Sequence, residues 1–199
     1  MKSEGEEGIS DKDAEVLRAI EEEGLSTFTF DGLRRIIGAH PETLSRALDR
    51  LEEDGIVVRS PDGYSTTGKA RDSLQIHPAN GARRVPLLHT FLPLGSSNMA
   101  IVSALKGRWF DRLRWVGMTE SEEGTVMKWV TEDTSAIIDA RISGGQLDVE
   151  ARIRSEADLG SAVRAAHHLV GRISRLYSGP RHTGRSMLMQ VGYFRPYAM

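Results

Sequence analysis

The sequence predicts an α+β fold: a helix-rich N-terminal part with one hairpin, then an antiparallel sheet with two helices in the order β-α-β-β-β-β-α. Three observations predict it. Apolar residues recur at helical spacing through most of residues 11–54. Four alternating strand candidates fill residues 112–154, the last two flanking Gly144-Gly145, a two-residue hairpin signal. One continuous apolar stripe then runs from Leu159 to Leu176.

In chain order, residues 1–10 are Glu-, Gly- and Ser-rich and read as a disordered tail. A helix is expected over Asp11–Glu23, with Val16, Leu17 and Ile20 inward and Gly24 ending it. Leu25–Phe30 alternates weakly, as a short strand does. Asp31 is the expected N-cap of a helix over Gly32–Ile37 with Leu33, Ile36 and Ile37 inward. Gly38 suits the left-handed residue past that helix. His40 then caps a helix opened by Pro41, whose missing N–H was unpaired in any case. Leu44, Ala47, Leu48 and Leu51 form its apolar stripe, while Glu42, Thr43, Ser45, Arg46, Asp49 and Arg50 face away. Gly55 closes it. Ile56–Ser60, the turn Pro61-Asp62-Gly63 and Tyr64-Ser65-Thr66 read as a hairpin, and a short helix follows through Leu74.

Residues 76–85 carry Pro78, Asn80 and Gly81 and read as a linker. A second domain is expected over 86–177. Leu87–Leu94 is its first, buried strand. Ser96 or Ser97 caps a helix over Asn98–Phe110 with Ile101, Val102, Leu105 and Trp109 inward. In the last strand Leu147, Val149, Ala151 and Ile153 face the core; Asp148, Glu150, Arg152 and Arg154 face the other way, predicting a wet sheet face. Ser155 and Asp158 read as a capping box for the closing helix. The tail, 178–199, begins as a basic loop and ends like a strand.

The run H-P-E-T-L-S-R-A-L-D-R-L-E-E-D-G-I-V-V-R, followed by P-D-G-Y-S-T-T-G-K-A, resembles the winged helix-turn-helix domain of MarR-like prokaryotic and archaeal transcriptional regulators over residues 11–75. Leu48, Leu51, Glu52, Gly55, Thr67, Gly68 and Lys69 carry the likeness. The resemblance implies a helix over 41–54 in the major groove of double-stranded DNA, with Arg46 and Arg50 reaching guanine edges or phosphates and Thr43 and Ser45 near the helix start. It also implies wing contacts from Arg59 and Tyr64 and phosphate contacts from Arg34 and Arg35. The alternative for Arg46 and Arg50 is pairing with neighbouring acids on a solvated helix. The C-terminal order resembles one TATA-binding-protein-like repeat or a small helix-grip domain in topology alone. Its mixed-charge face lacks apolar wedges, so minor-groove binding is not expected of it.

Composition sets bounds. There are 199 residues and no cysteine, which excludes disulfides, thiolate nucleophiles, zinc ribbons and iron–sulfur clusters. No apolar run approaches the roughly 18 residues of a membrane span. The acidic N-terminus is no signal peptide, so a cytoplasmic location is expected. The formal charge of −2 divides into −6 over residues 1–30, −1 over 31–75, +1 over 76–154 and +4 over 155–199. A DNA binder needs basic groups gathered on one face rather than a basic total. The adjacent His167 and His168 point about 100° apart on a helix and make no metal pair. No catalytic constellation stands out, and no cofactor is expected. Trp109, Trp115, Trp129, Met118 and Met127 either line an effector pocket or fill the core. The expectation is a homodimeric DNA-binding regulator, with a small-molecule effector as a further partner. The alternative is a winged-helix adaptor of transcription or replication machinery.

Overall fold

Each of the first three helices has one apolar stripe, and packed together they share an apolar surface that residues of the sheet, Val116 and Val130 among them, cover. The computed structural model, which describes residues 10–73, 83–93 and 96–177, shows six α-helices and one eight-stranded antiparallel sheet. The order is α1 (Asp11–Glu22), β1 (Thr27–Phe28), α2 (Phe30–Ile37), α3 (Pro41–Glu53), β2 (Val57–Ser60), β3 (Gly63–Thr66) and α4 (Gly68–Ser73). It continues with β4 (Arg83–Phe91), α5 (Asn98–Leu105), β5 (Leu113–Ser121), β6 (Gly124–Thr131), β7 (Ala136–Ser143), β8 (Gln146–Ile153) and α6 (Leu159–Tyr177). The tail 1–9, most of the expected linker (76–82) and the C-terminal tail 178–199 lie outside the described residues. The remainder of the linker, Arg83–Val85, is already strand and pairs with Ala151–Ile153.

The strands run β2-β3-β1-β5-β6-β7-β8-β4. The two residues of β1 join the hairpin to the C-terminal strands: Phe28 pairs with Tyr64 on one side and Gly117 on the other. A Cβ at Gly117 would stand 2.3 Å from the Thr27 carbonyl oxygen, so only glycine lets β1 come this close. The two halves therefore share one sheet.

That sheet has a core on each face. Trp115, Met127, Trp129, Ile138, Ala140, Val149 and Ala151 pack under α5 and α6. On the other face Val116 and Val130 join the α1–α3 core of Val16, Ile20, Leu33, Leu44, Leu48 and Leu51. The face predicted to be wet is thus partly covered. Arg152 is 5 % exposed, because Glu23 at the end of α1 reaches down onto it.

Other expectations are corrected locally. Thr29, not Asp31, caps α2, its hydroxyl accepting from the Gly32 N–H at 3.2 Å. Ser97 caps α5 as expected, but the helix stops at Leu105 because Lys106 turns extended (ψ 130) and Gly107 left-handed (φ 71). Trp109 is consequently 55 % exposed, with the Arg114 guanidinium 5.0 Å above its ring. On α6 the sheet-facing residues are Ala162, Ala165, Ala166, Leu169 and Ile173. Leu159, Val163 and Leu176 from the expected stripe are exposed, because the alanines let the helix lie closer to the sheet on their side.

Candidate nucleic-acid interface

The turn before α3 is built locally. Gly38 is left-handed (φ 66) and its N–H donates to the Arg34 carbonyl at 2.9 Å, closing α2. His40 Nδ1 then accepts from the Glu42 N–H at 3.4 Å, with Pro41 in the first helical turn. Leu44, Ala47, Leu48 and Leu51 are at most 1 % exposed, which fixes the rotation of the helix. Its outer side is left with Glu42, Ser45, Arg46 and Arg50 exposed and Thr43 half-buried.

Every arginine at this face has a carboxylate partner. Arg46 Nη2 lies 2.5 Å from Glu42 Oε1, a pair whose side chains are 70 % and 64 % exposed. Arg50 forks onto Asp13 of α1, with Nε 2.9 Å from Oδ2 and Nη2 2.6 Å from Oδ1. Asp13 is 5 % exposed. The hydrogen bond from Arg50, working against burial, holds the Asp13 carboxyl below its ordinary range, and Asp13 in turn raises Arg50. Arg50 is thus a tie between α1 and α3. Arg59 on β2 reaches back to Asp49 and, at 3.0 Å, to Glu52.

The remaining candidates are scattered. Tyr64 stacks on Phe28 with ring centroids 5.7 Å apart, and the Arg59 guanidinium also lies over its ring at 5.7 Å. Arg34 lies 3.5 Å from Asp31 on α2. Arg35 is on the same helix but lines a cavity against the sheet, away from α3. The hairpin tip is tethered, since Asp62 Oδ2 meets Lys106 Nζ at 2.8 Å at the end of α5. The structure therefore gathers Thr43, Ser45, Arg46 and Arg50 on one helix face, with Arg59 and its neighbour Tyr64 on the hairpin beside it, and leaves Arg34 and Arg35 on α2.

The sequence reading missed the charges that hold the two halves together. Glu23, Lys128, Asp139 and Arg152 are all 8 % exposed or less. Arg152 donates to both Glu23 oxygens, one of them at 2.8 Å, and Lys128 donates to Asp139 at 3.0 Å. Burial works against the Arg152 charge, yet Glu23 and Asp139 raise it above its ordinary range. The available signal was a lone Lys128 set among Val126, Met127, Trp129 and Val130.

The tryptophan–methionine set is core rather than pocket. Trp115, Trp129, Met118 and Met127 are at most 3 % exposed, and the Trp129 indole N–H donates to the Arg108 carbonyl at 3.0 Å. Both α6 histidines are exposed, with ring centroids 6.4 Å apart. Among the described residues no three His, Asp or Glu side chains come together as a metal-holding group, and no helix is long and apolar enough to cross a membrane. No family model matches this chain, and no curated protein or solved structure matches it either.

Proposed function

We propose that this protein is a sequence-specific DNA-binding transcriptional regulator acting as a homodimer. In this reading α1–α3 and the β2–β3 hairpin form a winged helix, and α3 enters the major groove of double-stranded DNA. One observation carries the reading: among the described residues, nothing from the C-terminal half covers the outer face of α3, which has Arg46 at its centre. Exposed ion pairs such as Arg46–Glu42 are worth only about 0–1 kcal/mol, so a guanine edge or phosphate draws Arg46 away at small cost. Ser45 and Thr43 stand beside it for polar contacts. Arg50 serves instead by fixing the angle between α1 and α3.

Binding of a randomised duplex library at fixed salt, followed by gel shift on the selected site, tests this. Arg46→Ala is expected to weaken the selected duplex by about 1–3 kcal/mol if Arg46 reads a base. Equal affinity of wild type and variant, or no selected site at all, refutes the reading. A dimer is expected to place its two α3 helices about 34–36 Å apart, so the selected site should be a pseudo-palindrome.

A second reading, an adaptor docking on transcription or replication machinery, is favoured by one observation. Within α3, Glu42, Asp49, Glu52 and Glu53 outnumber Arg46 and Arg50, a poor match to a phosphate backbone. The two readings separate on salt. Phosphate contacts give an affinity that falls steeply with ionic strength, whereas the adaptor has little DNA affinity to lose.

A further inference from the structure

A cavity of about 180 Å³ lies where the C-terminal ends of α1 and α2 meet the sheet. Glu22, Glu23 and Arg35 stand on its helical wall, and Arg152 and Arg154 on its strand side. The charges here are unevenly partnered. Arg152 donates from both outer nitrogens to Glu23, while its Nε has no hydrogen-bond partner among the described residues. Arg35 and Arg154 have no carboxylate partner among the described residues. The Arg35 Nε is shielded from water and, like the Arg152 Nε, has no hydrogen-bond partner among the described residues. A guanidinium nitrogen enclosed without an acceptor is costly, and such a group calls for an explanation.

We propose that this cavity binds a small organic monocarboxylate, held by the Arg35 and Arg154 guanidiniums. Three features select that class. Three arginines against Glu22 and Glu23 leave the walls with one surplus positive charge, which matches a monoanion better than a dianion. A planar carboxylate takes two parallel N–H donors from one guanidinium. Val130, Ala136 and Ile137 offer an apolar side for a short carbon chain. The volume is below the roughly 300–1,000 Å³ of sites for drug-sized ligands, so the ligand is small. Because α2 leads through Gly38 directly into α3, a bound anion would bear on α3. The binding itself does not depend on α3 meeting DNA.

The test is calorimetry and thermal unfolding of the full chain with acetate, butyrate and benzoate, each at about 10 mM, where a millimolar site is largely filled. Phosphate and chloride at matched ionic strength are the comparison. At least one carboxylate is expected to bind and raise the melting temperature, with phosphate and chloride inert. Arg35→Met and Arg154→Gln should each weaken that binding about tenfold or more. Arg35→Met should leave the unliganded melting temperature unchanged or higher, since it removes an unpartnered charge; Arg154 is exposed, so Arg154→Gln folds as the wild type does. The proposal is overturned if none of the three carboxylates binds, if phosphate binds as well as they do, or if both variants bind like wild type. None of these outcomes involves DNA, so they leave the regulator reading to its own test.

Discussion

Replacing Glu23 by Gln tests whether the buried charges, and not the sheet alone, fasten the helices to the strands. Wild type balances two acids, Glu23 and Asp139, against two bases, Lys128 and Arg152, all nearly inaccessible. The variant leaves the group with a surplus positive charge and removes the fork that Arg152 makes with both Glu23 oxygens. Breaking a buried pair from one side costs about 3–5 kcal/mol. Asp139 still stands 3.5 Å from Arg152 Nε, so the lower end, about 3 kcal/mol, is expected. For a chain of this length that is a fall of about 6–12 °C in melting temperature. Urea unfolding should show a lower midpoint with an unchanged slope, the sign that stability moved and compactness did not. The cycle is completed with Arg152→Met and the double variant. Because the cost is an unpaired buried charge, Glu23→Gln/Arg152→Met should be more stable than either single variant. A shift under about 1 °C for Glu23→Gln, or a double variant as unstable as the two singles added, would refute the reasoning.

Two further outcomes follow from the same geometry. The Asp13 carboxyl is depressed in the folded state, so the unfolded chain binds its proton more readily. Its stabilisation is therefore complete above the unfolded aspartate value of 3.8 and is lost as pH falls below it through the lower folded value. Asp13→Asn should flatten the loss of unfolding midpoint between pH 5 and pH 2, about as expected for one carboxylate; an identical slope in the variant would contradict the Arg50 tie. Gly117→Ala and Gly38→Ala should differ sharply. The first drives a Cβ onto the Thr27 carbonyl, which is backbone and cannot give way cheaply, and should cost about 3 kcal/mol or more by prising β1 from β5. The second meets nothing within 4 Å and carries only the left-handed penalty of about 1–2 kcal/mol. Equal melting temperatures for the two variants would show that β1 does not splice the sheet.

What was legible in the sequence is what short stretches decide for themselves. The α3 helix was read with its cap, its proline, its flanking glycines and its buried stripe, because each depends on residues within four positions. The Gly144-Gly145 hairpin and the inward set Leu147, Val149, Ala151 and Ile153 were read for the same reason. The errors lie where a distant segment decides. Period-two alternation told which face Arg152 occupies, but not that Glu23, 129 positions away, would cover it. The weak alternation of Leu25–Phe30 marks a short strand, and β1 lies within it; its partner is what a local pattern could not mark, since the Met118 carbonyl that Ser26 meets is 92 positions away. On α6 the expected stripe includes Leu159, Val163 and Leu176, which are exposed, whereas Ala162, Ala165, Ala166, Leu169 and Ile173 meet the sheet, which small side chains let the helix approach closely. The same division runs through the proposed interface. Arg46 and Arg50 were paired as readers because they are one turn apart, a local fact; Asp13, from a different helix, takes Arg50 out of that pair. Arg35 is expected to grip phosphate from the helix before α3, and the cavity it lines against the sheet beneath α2 could not be seen from its neighbours in the chain. A helix face assigned from periodicity is thus sound as to its apolar side, while the work of each polar side chain is set by the tertiary neighbour that reaches it first.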